Sequence, residues 1–99
     1  MKPKISLITL GVRDLDASLA FYRDGLGLPT HNYQDGEPMI FFALEGTWLG
    51  LYPRVSLAED AQVSAEGSGF SGVSLSHNAP SPEAVDAVFA EALAAARRR

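Results

Sequence analysis

The chain opens with a buried strand that leads directly into a capped helix, and this pair constrains the fold more than any other feature. Residues 5–12, ISLITLGV, are mostly β-branched or aliphatic, which is typical of a buried strand. Asp14 stands at the N-cap position, where its carboxylate can accept from the free N–H groups of a helix. Gly25 and Gly27 supply the positive φ that ends such a helix. Its apolar stripe consists of Leu15, Leu19, Tyr22 and Leu26.

Short strands separated by turn residues follow from residue 28. Asp35-Gly36 is a hairpin signal, and residues 39–44, MIFFAL, predict a strong strand. Glu45-Gly46 predicts the next turn, residues 47–52 predict the returning strand, and Pro53 stops it. Residues 4–53 therefore predict one complete β-α-β-β-β module, in which the last three strands form an antiparallel meander.

The second half of the chain begins as the first half does. Residues 54–69 are rich in Ala, Ser, Gly and acids, which predicts a linker with one helical turn near 57–61. The alternation of Val73 and Leu75 predicts a strand over 70–77. Ser81 then provides an N-cap and Pro82 the first position of a second helix. We therefore expect a single domain over 1–99, in which 70–99 is a partial repeat of the module.

Size, composition and charge exclude several classes of protein. Ninety-nine residues make one domain, and such a chain buries only about 60–65% of its unfolded surface, so its core must be used well or completed by another chain. Hydrophobic residues at 46% indicate a folded domain rather than disorder. The lack of cysteine excludes a disulfide scaffold and thiolate catalysis. A net charge of −4 disfavours nucleic acid as a partner.

The sequence gives no indication of a membrane or of export. No apolar run reaches the roughly 20 residues that a membrane span needs. Lys2 and Lys4 are not followed by the apolar region and cleavage site of a signal peptide. We therefore expect a soluble cytoplasmic protein that binds neither nucleic acid nor membrane.

Three motifs stand in the first strand and helix: Val12-Arg13-Asp14-Leu15, Ser18-Leu19-Ala20-Phe21-Tyr22 and Leu26-Gly27-Leu28. Together with the strand order they resemble the vicinal oxygen chelate superfamily, which contains glyoxalases, bleomycin-resistance proteins and extradiol dioxygenases. Residues 69–79 and the helix after them resemble the start of that family's second module. The resemblance implies an α+β fold, with a mostly antiparallel curved sheet, helices on its outer face, and the strand at 70–77 beside the first strand.

In the family, two modules form a cup that binds substrate and, in the enzymes, a divalent metal. By the resemblance, three of the ligand positions fall on Leu7, Gly50 and Gly72, and the last falls on a strand that this chain does not have. Leucine and glycine side chains cannot coordinate a cation. We therefore expect no metal and no other cofactor.

Strand alternation extends the expected binding site. If Leu7, Gly50 and Gly72 face the cup, residues of the same parity on their strands do so too. The predicted ligand residues are Leu7, Thr9, Trp48, Gly50, Tyr52, Gly72, Ser74 and Ser76, with Ile5 beside them. The opposite face, which we expect under the helices, collects Ile8, Leu10, Leu49, Leu51, Val73 and Leu75.

Several of these residues have a plainer interpretation. Trp48 and Tyr52 could form the wall of a ligand site or fill a buried interface. Ser74 and Ser76 have no base positioned to activate them, which disfavours nucleophilic catalysis. His31 and His77 match no ligand position, so we expect both at the surface or at a loop edge.

Three hypotheses on function follow. The first is a metal-free protein that binds a small hydrophobic or aromatic molecule, as bleomycin-resistance proteins do. The second is a metal-dependent lyase, isomerase or dioxygenase of the same superfamily. The third is a truncated or engineered half-length form with no activity of its own.

The open sheet also predicts self-association. An exposed concave face and unpaired strand edges favour pairing with another chain. We expect a homodimer in which each copy completes the other's cup. The helix over 81–97 then packs across the partner, as a form of domain swapping.

Overall fold

A three-stranded sheet with helices around it forms the centre of the protein. A computed structural model describes residues 1–67, 69 and 71–97, and residues 68, 70, 98 and 99 lie outside the described residues. In chain order the elements are β1 (Leu7–Val12), α1 (Leu15–Leu19), a π-helical segment (Ala20–Gly25), β2 (Ile40–Phe42), β3 (Trp48–Pro53), α2 (Arg54–Ala61) and α3 (Pro82–Ala96). The α+β class predicted from the sequence is confirmed.

The predicted first strand and helix are both present. Asp14 has an extended backbone, and its carboxylate accepts a 3.0 Å hydrogen bond from the Ala17 N–H. The α-helix passes into the π-helical segment at Ala20. The whole helical stretch ends at Gly27, whose φ of +74° is in the left-handed region that glycine adopts without strain.

The sheet is mixed, with the order β1-β3-β2. β1 runs parallel to β3, from the pair Leu7–Trp48 to the pair Val12–Pro53, and β2 runs antiparallel to β3. The prediction of a mostly antiparallel sheet is therefore corrected. A parallel pair requires a crossover connection, and here α1, the π-helical segment and β2 all lie between β1 and β3 in the chain.

Where the sequence predicted the first strand of the meander, the described residues contain one isolated β-bridge and one further backbone hydrogen bond to β2. Thr30 forms an isolated bridge with Phe42, and the His31 N–H donates to the Phe41 carbonyl over 2.8 Å. Asn32 follows with φ +53°, a left-handed conformation that turns the chain away from the sheet. The pairing therefore stops where a full strand was predicted to continue.

One face of the sheet forms the core. The buried residues of this core are Leu19 of α1 and, from the sheet, Ile40, Phe42, Leu49 and Leu51. Tyr22 packs against this cluster with its ring centroid 5.9 Å from that of Phe42. Burial raises the pKa of the Tyr22 phenol. Of the face predicted to lie under the helices, Leu10, Leu49 and Leu51 belong to the core, whereas Ile8 is exposed.

The region predicted as a linker contains a full helix, α2. It begins directly after Pro53 and ends at Gln62, which has φ +59°. A Cβ placed on Gly11 would lie 3.2 Å from Arg54 Cα and from Leu57 Cδ2. Gly11 belongs to the side of the sheet opposite the core, so α2 covers that side at one end. This corrects the expectation that all helices lie on the outer face.

The strand predicted over 70–77 is wrong for the part that the structure describes. Phe70 lies outside the described residues, and 71–79 carry no strand and are exposed except at Ala79. Gly69 and Gly72 have φ of +86° and +82°, which interrupts an extended backbone. Without a neighbouring strand the alternating Val73 and Leu75 bury little surface.

The second predicted helix is confirmed as α3. The Ser81 hydroxyl accepts from the Ala84 N–H over 3.1 Å, and Pro82 occupies the first turn. α3 packs against the π-helical segment, where a Cβ placed on Gly25 would lie only 2.8 Å from Ala95 Cα. No helix within 1–67, 69 and 71–97 is long and apolar enough to cross a membrane.

Candidate functional site

The parallel pairing of β1 and β3 brings five of the predicted ligand residues to one side of the sheet. Leu7 pairs with Trp48, and Thr9 pairs with Gly50. The next same-side pair on these strands joins Gly11 and Tyr52. This side, opposite the core face, is called the cup face below. It contains Leu7, Thr9, Gly11, Phe41, Trp48, Gly50 and Tyr52.

Gly50 is the most covered position of the cup face. It is buried, and a Cβ placed on it would lie 3.2 Å from Thr9 Oγ1 and 3.4 Å from both Leu7 Cδ1 and Met39 Cε. Those distances leave room for little more than the glycine itself. The centre of the cup face is therefore closed by neighbouring side chains.

An open depression of about 450 Å³ lies on the cup face at the end away from α2. Its apolar wall consists of Leu7, Phe41 and Trp48. Its other lining residues are Lys4, Ser6, His31 and Gly46. We call it the Trp48 depression. Aromatic and aliphatic walls with a few polar groups are typical of a small-molecule site.

His31 forms one edge of the Trp48 depression. Its ring centroid lies 4.8 Å from that of Trp48, with the ring planes at 54°. The backbone N–H of His31 is held by the Phe41 carbonyl at 2.8 Å, and its Nε2 lies 3.3 Å from Asn32 Nδ2. His31 is exposed, as predicted, and in addition it packs on the aromatic wall.

Three predicted ligand residues are not brought to this site. Gly72, Ser74 and Ser76 lie in the exposed segment that forms no strand, and no heavy atom lies within 4 Å of a Cβ placed on Gly72. Leu75 and His77 of the same segment line a separate depression of about 380 Å³ against α3. The prediction that Gly72 faces the cup together with Leu7 and Gly50 is therefore corrected, because it depended on a strand over 70–77.

The sequence reasoning missed five residues of the Trp48 depression: Lys4, Ser6, His31, Phe41 and Gly46. Phe41 could have been found by applying alternation to β2, since its neighbours Ile40 and Phe42 are core residues. Lys4 precedes the predicted strand, and alternation along that strand assigns Ser6 to the opposite face. His31 reaches the site through a backbone bridge that no local pattern predicts.

The residues at the family's metal positions do not fit a metal. Leu7 and Gly50 do meet on the cup face, but the atoms they present to each other are hydrocarbon. Divalent cations require oxygen, nitrogen or sulfur ligands. Within the described part of the chain, no three His, Asp or Glu side chains are grouped as a metal site would need.

The chain belongs to the Glyoxalase/Bleomycin resistance protein/Dioxygenase superfamily, whose family model matches residues 4–97. The fold and the cup face described above are consistent with this membership, and the family resemblance inferred from the motifs is confirmed. A comparison with curated proteins gave no match.

Solved structures with this fold are longer than the chain. A glyoxalase-related enzyme from Fulvimarina pelagi is 30% identical with a TM-score of 0.77, over 94% of this chain and 65% of that one. A glyoxalase/bleomycin resistance protein/dioxygenase from Nocardioides is 25% identical with a TM-score of 0.72, over 96% and 63%. A family enzyme from Burkholderia phytofirmans PsJN is 26% identical with a TM-score of 0.73, over 93% and 72%. The chain thus spans about two thirds of the length of these proteins.

Proposed function

We propose that the protein binds a small, partly aromatic molecule in the Trp48 depression without using a metal. The observation that carries this proposal is the aromatic wall of Phe41 and Trp48, which stands open to solvent on the cup face. A planar ligand placed there stacks on the indole ring and covers Leu7. His31 already makes such a ring contact with Trp48.

Binding is favoured over chemistry by the residues at the site. The family's metal positions on the sheet hold Leu7 and Gly50, which supply neither a ligand nor a base. Ser74 and Ser76 lie in an exposed segment with no base beside them. We therefore assign the side chains of the depression the role of holding and orienting a ligand.

Titration calorimetry of the purified chain against aromatic metabolites and glycopeptide drugs tests this proposal. We expect saturable binding to at least one of them. Trp48→Ala is expected to weaken that binding at least about 10-fold, because a stacked aromatic side chain is often the main source of affinity. Phe89→Ala is the matched control, since Phe89 is an exposed aromatic on α3 away from the depression. Failure of every compound to bind would contradict the proposal.

A second copy of the chain is proposed to complete the cup. β1 is an edge strand of the sheet, and its residues LITLGV contain neither the charges nor the proline that discourage pairing. Ile5, Leu7 and Ile8 are exposed beside that edge. Pairing of β1 with its counterpart in a two-fold dimer would cover them and join two cup faces.

Sedimentation at micromolar concentration tests the dimer. We expect twice the chain mass of 10.6 kDa, with an interface on the order of 2,000 Å². Ile8→Lys should yield the monomer, whereas Val55→Lys on the exposed side of α2 should not. A mass of 10.6 kDa for the unmodified chain at all concentrations would contradict this part of the proposal.

A metal-dependent enzyme is the second candidate, because the solved structure with 30% identity is described as a glyoxalase-related enzyme. Elemental analysis of the purified protein discriminates the two. Stoichiometric nickel, zinc, manganese or iron, with an activity that is lost on chelation, would replace the binding proposal. Protein free of metal that still binds its ligand supports it.

A further inference from the structure

The residues that line the Trp48 depression include a cationic residue and no acidic one. Lys4, Ser6 and His31 are among them, and a lysine ammonium, a serine hydroxyl and an imidazole N–H can each donate hydrogen bonds. None of the described residues that line it is Asp or Glu. The chain as a whole has 12 acidic residues and a net charge of −4. The depression is thus an acid-free area on an acidic protein.

Two hydrogen bonds hold the segment that carries Lys4 against the sheet, and a third lies within the segment itself. The Lys4 N–H donates to the Lys2 carbonyl at 2.8 Å. The Ile5 carbonyl accepts from Thr47 Oγ1 at 2.7 Å, and the Ser6 carbonyl accepts from the Trp48 N–H at 3.0 Å. These bonds place Lys4 close to the start of β3, where it lines the depression.

We infer that the ligand of the Trp48 depression is an aromatic carboxylate. The inference rests on the proposed function and adds the charge of the ligand to it. The ring of such a ligand stacks on Trp48 and Phe41, and its carboxylate accepts hydrogen bonds from the Lys4 ammonium and from Ser6 or His31. An aromatic amine in the same place has no carboxylate partner and faces Lys4 with a like charge.

Three probes with the same phenyl ring separate charge from stacking: phenylacetate, phenylacetamide and phenethylamine. Trp48 is the only tryptophan of the chain, so its fluorescence reports binding at this site. We expect phenylacetate to bind about 2- to 5-fold more tightly than phenylacetamide, as an exposed ion pair would give. Phenethylamine should bind most weakly. Added salt should reduce the difference between acid and amide.

Two lysine variants locate the charge. Lys4→Gln should remove the preference for the acid while the amide binds unchanged, and Lys4→Arg should keep it. Lys2→Gln is the matched control, because Lys2 does not line the depression, and it should leave the preference intact.

The other possible outcomes of these binding experiments would each overturn a stated part of the proposal. Equal affinity for acid and amide, or tighter binding of the amine, would overturn the inference and leave the proposed function standing. A preference for the acid that persists in Lys4→Gln would overturn the role of Lys4. No binding by any of the three probes would overturn the proposed function and the inference with it.

Discussion

The sheet region, residues 7–61, and the C-terminal region, residues 63–97, differ in how many of their large apolar side chains they bury. Every buried apolar residue of the described chain except Ala95 lies in the sheet region. In the C-terminal region Val63, Val73, Leu75, Val85, Phe89 and Leu93 are exposed. The residues Leu49 and Leu51 alternate just as Val73 and Leu75 do. The difference is that the first pair has strands on both sides, and the second pair has none.

This contrast teaches that alternation alone does not make a strand. β3 is paired along its length with β1 and from Leu49 to Leu51 with β2, and its leucines lie in the core. Residues 71–79 have the same pattern of side chains without those neighbours. A single strand in water gains too little from its own residues to offset its loss of conformational entropy.

The largest expected effect compares the same substitution in the two regions. Leu51 is fully buried and Leu75 is 52% exposed. Leu51→Ala should lower the free energy of unfolding by about 2–5 kcal/mol, because it leaves a cavity in the core. Leu75→Ala should change it by less than about 0.5 kcal/mol. Denaturant unfolding of both variants measures the two changes in free energy. Equal losses of stability would show that Leu75 is buried as deeply as Leu51.

The contact between the regions is the next test. Alanine normally stabilises a helix by about 1 kcal/mol relative to glycine. At Gly25, however, an added methyl group would collide with Ala95 of α3. Gly25→Ala should therefore destabilise the protein by about 1–3 kcal/mol, as overpacking does.

A compensating substitution sharpens this test. Ala95→Gly removes the methyl group that Gly25→Ala would meet, so the double variant should recover part of the loss. Unfolding of the two single variants and the double variant completes the cycle. A stabilising Gly25→Ala would mean that α3 does not pack there.

The cap of α3 is expected to have a smaller effect, confined to the C-terminal region. Ser81→Ala removes the hydrogen bond to the Ala84 N–H, which should cost about 1 kcal/mol of helix stability. Hydrogen exchange should become faster in the first turns of α3 while the amides of β3 keep their protection. Equal acceleration in both places would show that the two regions unfold together.

The smallest effect concerns pH. Burial raises the pKa of Tyr22, so the folded state favours the neutral phenol. Its contribution to stability is fully present below the ordinary tyrosine pKa of about 10 and is lost as the pH rises above it. Tyr22→Phe should remove this part of the alkaline loss. The test is the free energy of unfolding of the unmodified protein and of Tyr22→Phe at about pH 8 and pH 11. An equal loss of stability in both proteins between these pH values would contradict the prediction.

Local signals were read correctly from the sequence. Asp14 and Ser81 cap their helices as predicted, because a cap depends on a few neighbouring residues. Alternation also separated the core face from the cup face, since Leu10, Leu49 and Leu51 belong to the core and Leu7 and Thr9 do not.

The errors concern partners that are distant in sequence. A strand over 70–77 needs a neighbouring strand, and alternation does not show whether one is present. Without that strand, Gly72, Ser74 and Ser76 do not lie at the predicted positions on the cup face. Helix α2 has no clear apolar stripe, so the sequence predicted only one helical turn near 57–61 where the structure has a helix over Arg54–Ala61. The Trp48 depression was found in part, because His31 reaches it from a loop.

The parallel pairing of β1 with β3 sets the order in which the sheet is assembled during synthesis. β2 and β3 are separated by a short turn and can pair as soon as both have been made. β1 is made before either, but its partner begins roughly forty residues later in the chain, and closing that loop has a larger entropic cost. We therefore expect the uncharged segment LITLGV, which is translated before β2 and β3, to be paired after them. Until then it is the part of the nascent chain most exposed to pairing with other polypeptides.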